Sequence, residues 1–287
     1  MKLVSYKYSR HAGLGNKLFP WARMRVFSKE TGAKPRSTLW FSPHGGGITR
    51  GGVDYRRALR KIWLFRNFTN SPGDVSWLRY WLEYSRLPKR EFYFLSDALK
   101  DRSENQHVIF VGKPGVNDTF EELAGYQELL RTDLQNMAIS GARRFVQRFD
   151  EEDYIALNVR SGNDFVSRES GKVGIVKTGL DWYCDALSQV RRKYGHLKAY
   201  VISDGGRKQL APLLDEPNVV LCESPCAISD LLICAKAKVF LGCGNSSFSA
   251  WASFIGEMDT YTSETESIEV WYRGVRGRNG EQKVCTL

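Results

Sequence analysis

The chain lacks the marks of a membrane protein. No apolar run approaches the ~18–20 residues that a helical span needs, and Leu231 to Ala235 is among the longest. The opening MKLVSYKYS has no long apolar stretch and no small-residue cleavage site. It therefore reads as a first strand rather than a signal peptide, and a cytoplasmic location is expected. Metal-ligand spacing is scarce too. Four histidines are scattered, and of six cysteines only Cys222 and Cys226 form a loose pair, with no second pair to complete a zinc site. Cys234 and Cys243 fall in apolar stretches where a thiol behaves as a small hydrophobe, so reduced, structural cysteine is expected. There is no Asp-x-Asp to hold a metal against phosphates, no Gly-Lys-Ser/Thr ending of a P-loop, and no Gly-x-Ser-x-Gly elbow of a hydrolase to go with His44–Gly47.

What is present is an ordinary globular composition in 287 residues, with 42% hydrophobic and 26% charged side chains. A chain of this length buries roughly three-quarters of its unfolded surface and suggests about two domains. The net charge of +10 raises the local concentration of anions. The basic residues are spread over several clusters, among them Arg56–Lys61, Arg143–Arg148, Arg191–Lys193 and Arg273–Arg278, and each also reads as a solvated face. A non-catalytic basic module binding nucleic acid or anionic glycans is an alternative reading. Against it, the aromatics interleave with core-like patterns and form no obvious stacking strip, and no nucleic-acid partner is expected.

The second half has a regular rhythm. Strands are predicted at Tyr154–Arg160, Ala199–Ser203, Asn218–Leu221 and Lys238–Leu241. Helices are predicted at Leu180–Tyr194, Gly206–Leu214, Ala227–Ala235 and Asn245–Ile255. Short apolar strands alternating with helices imply a parallel sheet covered on both faces. The first half carries the same alternation more faintly: a strand at Lys2–Tyr8, a turn at Gly13–Asn16, a helix at Leu18–Lys29, a strand at Val108–Val111, and a long helical stretch from Phe120 to Phe149 broken near Gly141. The Trp-, Arg- and Tyr-rich segment from Tyr55 to Tyr84 reads as helical, and its part around Trp63–Tyr84 as core or as a sugar-stacking acceptor wall. Two Rossmann-like domains are expected, 1–150 and 151–287, facing across a cleft. Ligands of such sheets bind beyond the carboxyl ends of the strands.

Four groups of residues occupy those ends. Gly13 and Gly15, two apart before a helix, allow close backbone approach to a phosphate or sugar, or form a plain tight turn. Arg160, at the end of YIALNVR, presents a fork that matches two diphosphate oxygens, or pairs with Asp164 across the Ser-Gly-Asn turn. Asp204, after AYVIS, accepts from a ribose or base edge, or caps the next helix. In Asp230–Phe254, the run Asn245-Ser246-Ser247 opens a helix, where hydroxyls and free N–H groups bind an anion without a metal. The same donors serve as a helix cap.

Taken together these elements resemble the fucosyltransferase superfamily of α-1,2-, α-1,6- and protein O-fucosyltransferases. HAGLGNKLF is similar to its GGLGNQLF opening, NVRSGNDF to its HxRRxD element, VISD to its strand followed by Ser203-Asp204, and Asp230 with Ser246 sixteen residues on to its third motif. The resemblance spans residues 11 to 254, with 35 to 150 unmatched. It implies a GT-B fold and a metal-independent, inverting transfer of L-fucose from GDP-fucose to a glycan or glycoconjugate hydroxyl, with no cofactor. Arg160, Ser246 and Ser247 would hold the donor diphosphate. Asp230 would face the guanine edge, and Asp204 would support the nucleotide pocket. Gly13, Gly15 and Asn16 would line the cleft near sugar and acceptor, on the N-terminal side. Glu169, or else Asp164, would be the general base. The chain departs from the pattern at Asn158, where the family has a base-contacting histidine, and at Ser161, where it has a second arginine. These departures leave open a xylose or rhamnose donor on the same framework.

Overall fold

In the computed structural model the described residues are 2–7, 13–36, 77–112, 119–138, 140–161, 165–166, 175–176, 178–244, 246–263 and 284–286. Two parallel sheets organise them. The first draws on β1 (Leu3–Lys7), which leads into α1 (Leu14–Thr31) and the two-residue β2 (Lys34–Pro35). It continues with α2 (Trp77–Arg86), β3 (Lys89–Phe92), α3 (Leu95–Lys100) and β4 (His107–Val111), giving the order β2-β1-β4-β3. Leu3 pairs with His107 and Lys7 with Val111, so β1 and β4 end together.

A short 3-10 turn at Glu121–Leu123 precedes α4 (Gln127–Met137) and α5 (Ser140–Gln147). The second sheet begins at β5 (Tyr154–Val159); a small ladder pairs β6 (Phe165–Val166) with β7 (Ile175–Val176). Then follow α6 (Leu180–Tyr194), β8 (Lys198–Ser203), α7 (Ala211–Leu214), β9 (Val219–Leu221), α8 (Ala227–Lys236), β10 (Val239–Gly242), α9 (Ser247–Gly256), β11 (Asp259–Thr262) and β12 (Val284–Thr286). The order is β12-β11-β10-β5-β8-β9. Numbered by appearance, that is the doubly wound 3-2-1-4-5-6 arrangement, whose connections reverse direction between β5 and β10.

All six residues of β5 are buried, as a central parallel strand with helices on both faces requires. Its alternation divides two cores. Ile155, Leu157 and Val159 pack with Tyr183 and Leu187 of α6. Tyr154 and Ala156 belong to a second cluster, with Leu231 of α8 and Trp251 of α9. That cluster runs without interruption into the first sheet, through Phe19, Phe27 and Phe110. Its centre is aromatic: Phe19, Phe120 and Trp251 lie with ring centroids 4.9 to 5.1 Å apart, and Phe120 stacks on Phe254 at 4.4 Å. The residues just before Asp150 also cross over, since α4 packs on α9 and α5 on α8. No helix among the described residues is long and apolar enough to cross a membrane.

Three expected elements differ. The Gly13–Asn16 segment is the first turn of α1, with Gly13 as its extended N-cap. Only Ala211–Leu214 of the predicted 206–214 helix forms, because the chain turns at Gly206, whose carbonyl accepts from both Gln209 and Leu210. The long helix breaks at Ala138, in extended conformation, three residues before Gly141.

Candidate active site at the strand switch point

The reversal between β5 and β10 opens a crevice at their carboxyl ends, and this is where chemistry-bearing side chains collect. Leu157 lies opposite Leu241, so the residues after Val159 and after Gly242 leave the sheet side by side. Arg160 follows the first and the 243–246 turn follows the second.

Arg160 Nη1 donates to Asp204 Oδ2 at 3.1 Å, and the Ser161 N–H donates to Asp204 Oδ1 at 2.7 Å. Both side chains keep some exposure, 30% and 22%. Arg160 thus pairs with Asp204; Asp164 lies outside the described residues. Asp204 is also not a helix cap, since α7 starts only after Leu210. Next to it, Ser203 Oγ accepts from the Gly205 N–H at 2.9 Å. A Cβ on Gly205 would sit 2.8 Å from the Ser161 side chain, so the ends of β5 and β8 meet through a bare glycine.

Ser246 caps α9 through its side-chain oxygen, which accepts from the Ser249 N–H at 3.4 Å. Its own N–H is bonded to Cys243 O at 3.1 Å. Ser247 is the first helical residue, and the first turn of α9 holds no acid. Asn245 lies outside the described residues. The start of α1 comes up against this helix start: a Cβ on Gly15 would stand 2.6 Å from both Phe248 N and Ser247 Oγ. Gly15 therefore serves a helix–helix approach on that face. Gly13 is exposed, with open space where a Cβ would go. α1 also has no side-chain cap and no acid in its first turn, so two positive helix ends adjoin. Asn16 lies in that turn with Oδ1 buried and without a hydrogen-bond partner among the described residues. Pro20, four residues on, cannot donate to the Asn16 carbonyl. Lys17 is buried, and burial lowers its ammonium to about 8.

Asn158 departs from expectation. It is 4% exposed, its Oδ1 accepts from Ser249 Oγ at 2.8 Å, and its Nδ2 donates to Ile202 O at 3.4 Å. Side-chain alternation explains this: Asn158 shares the face of Tyr154 and Ala156, beneath α9, so its amide points inward rather than at a base edge. Asp230 sits buried in the first turn of α8 and accepts from Ser224 Oγ. Glu169 lies outside the described residues. Sequence reasoning missed Ser249; its signal was the i+3 spacing from the capping Ser246.

A cavity of about 640 Å³ opens at the opposite, amino edge of the second sheet, lined by Arg131, Lys236, Lys238, Glu257 and Asp259. Its charges are already matched: Arg131 pairs with Glu257, Lys236 with Asp150, Lys238 with Asp153, and Tyr194 donates to Asp259. Among the described residues no three His, Cys, Asp or Glu side chains gather as a metal site.

No protein-family model matches the chain, and no curated protein is significantly similar in sequence. Solved structures are similar in fold. A selenomethionine crystal structure of the fucosyltransferase NodZ from Bradyrhizobium matches with a TM-score of 0.54 at 14% identity, over 92% of this chain and 95% of that one. A second NodZ structure from Bradyrhizobium matches with a TM-score of 0.55 at 14% identity, over 89% and 94%. The fold is accordingly the α/β, GT-B type found in that fucosyltransferase.

Proposed function

We propose that this chain is an inverting glycosyltransferase that moves a sugar from a nucleotide diphosphate donor to a glycan or glycoconjugate hydroxyl without a metal ion. The donor indicated by the sequence motifs is GDP-fucose. One observation carries the reading. A guanidinium, Arg160, and a capped, acid-free helix start at Ser246–Ser247 emerge from adjacent strands at the switch point. Such groups stabilise charge that builds on a leaving diphosphate.

In the proposed reaction the acceptor oxygen forms a bond to the anomeric carbon as the bond from that carbon to the diphosphate oxygen breaks. The electron pair leaves with the diphosphate, which Arg160 and the N–H and O–H donors of Ser246 and Ser247 receive. The transition state is oxocarbenium-like, as in glycoside hydrolysis. The acceptor proton passes to a base, for which Glu169 and Asp164 are the candidates. Asp230 and Asp204 would serve the nucleotide, and Gly13 and Asn16 would border the acceptor side.

A second reading keeps the fold and changes the donor. The inward Asn158 favours it, because a residue committed to Ser249 and Ile202 does not select the base. Titration calorimetry with GDP and UDP, each with and without EDTA, tests both. The first reading expects GDP to bind equally well in either condition and UDP to bind weakly. UDP binding in preference to GDP would move the chain to the second reading. Binding of neither would remove the transferase assignment.

A further inference from the structure

Within the donor site proposed above, we infer that Asn158 and Ser249 act as a positioning pair that fixes the start of α9 relative to Arg160. The inference rests on that reading and adds two residues that touch neither phosphate nor sugar.

The geometry begins with one hydroxyl. Ser249 Oγ has a single proton, and it donates that proton to Asn158 Oδ1 at 2.8 Å. A lone pair of the same oxygen accepts the Cys243 N–H at 3.1 Å. Its direction is therefore set at both ends. The Ser249 N–H meanwhile goes to Ser246 Oγ. Ser246 thus acts as acceptor inside the turn, and its own O–H proton is left for a partner outside this set. The chain from Asn158 through Ser249 to Cys243 and Ser246 closes the 243–246 turn onto β5.

Asn158 is anchored in turn. Its amide bonds Ile202 O on β8, and its backbone carbonyl accepts from Tyr183 Oη of α6 at 2.8 Å. Asn158 is 4% exposed, Ser249 0% and Ser246 5%, so each missing bond would leave a dry, unmet polar atom. Arg160 lies two residues beyond Asn158, just past the end of β5. A strand rises about 3.3 Å per residue, so Asn158 sets a fixed spacing between the guanidinium's root and the helix start. Preorganised donors lose no reorganisation energy when charge develops. Asp204 holds the other side in the same way, through Arg160 and the Ser161 N–H.

The test uses the full chain and two probes, GDP and inorganic pyrophosphate, the second of which has no base to recognise. Ser249→Ala removes one oxygen and is expected to weaken both probes about tenfold, the scale of one buried hydrogen bond. The double variant Asn158→Ala,Ser249→Ala should weaken them no further, because the two residues act as one unit. Ser253→Ala is the control. It breaks a comparable buried bond on the same helix, to Thr260 at 2.8 Å, one turn farther from the site. It should lower the melting temperature as Ser249→Ala does, yet leave both Kd values within about twofold. Wild-type binding by Ser249→Ala, or equal weakening by Ser253→Ala, overturns the pair while the donor reading stands. A wild-type chain that binds neither GDP, UDP nor pyrophosphate overturns both. If Asn158→Ala does not fold, Ser249→Ala and its control decide the question alone.

Discussion

The two sheets meet the crevice with differently finished walls. The carboxyl edge of the second sheet is stitched by side chains: Arg160 and the Ser161 N–H to Asp204, Asn158 to Ser249, Ser203 to the Gly205 N–H. The described edge of the first sheet has less of it: one exposed ion pair, Lys7 to Glu91 at 2.6 Å, links the ends of β1 and β3. α1 starts on Gly13 without a side-chain cap, and Gly15 holds its place by backbone contact with α9. The difference is instructive. Under the proposed reaction, a wall that received developing charge would gain from rigidity, whereas a wall facing a variable hydroxyl would need shape more than fixed dipoles.

The sharpest way to break this contrast is Arg160→Ala. It is expected to lower kcat by at least ~10²-fold, the scale of losing one preorganised donor. Steady-state kinetics with GDP-fucose and a glycan acceptor measures it, and a variant within a few-fold of wild type would show that the stitched wall is not where charge is met.

Acid separates the two halves next. His107, buried in the first sheet, hydrogen-bonds Ser5 through Nε2 at 2.8 Å. Burial pushes its imidazole down to about 4; the nearby cations Lys89, Arg36 and Lys7 add to this and Glu83 opposes it. The neutral ring is favoured in the fold, so the unfolded chain binds the proton more readily. Stability conferred by the neutral ring is full above about pH 6.5 and drains as pH falls toward 4, by on the order of 3 kcal/mol. Urea unfolding at pH 7 and pH 4.5, compared between wild type and His107→Gln, should show a pH slope that the variant lacks. An unchanged slope removes His107 as its source.

Gly15→Ala sharpens the less stitched side. Helix propensity alone predicts a gain of roughly 1 kcal/mol. The added carbon, however, would meet backbone atoms of α9 at 2.6 to 2.7 Å, and overpacking of this kind costs about 1–3 kcal/mol. The clash should win, because two of the three nearest atoms, Phe248 N and Ser247 C, are backbone and cannot rotate away. A net loss of about 1–2 kcal/mol in urea unfolding is expected, and a stabilised variant would contradict the close approach. Asp204→Asn should have the smallest effect. It weakens a part-exposed ion pair worth about 0–1 kcal/mol but keeps an oxygen for the Ser161 N–H, so KM for the donor should rise by less than about tenfold.

Much of this was legible from residue spacing. α6 runs from Leu180 to Tyr194 as predicted, since its apolar face repeats at helical intervals and glycines flank it at 179 and 195. The six-stranded sheet follows from strands that alternate with helices. Other features depend on partners far along the chain. Gly13 to Asn16 looked like a turn because glycines break helices in isolation; here Gly15 is helical because α9 leaves no room for a side chain. The alternation of β5 put Asn158 on the face of Tyr154 and Ala156, yet only the position of α9 tells that Asn158 is covered while Arg160, just past the strand, is not. Continuity between the cores was equally hidden, since Phe19 and Trp251 are 232 positions apart in sequence and 5.1 Å apart in space.

The shared ring cluster constrains how the fold can breathe. Phe19 of α1 and Phe120, just before the 3-10 turn, bolt the first lobe to Trp251 and Phe254 of α9. Each such ring buries about 150–250 Å², so prising the sheets apart would wet several hundred Å² and cost on the order of 10 kcal/mol. Jaw-like gaping is therefore disfavoured, and the two lobes move as a single block. A ligand of the switch-point crevice would enter along its mouth.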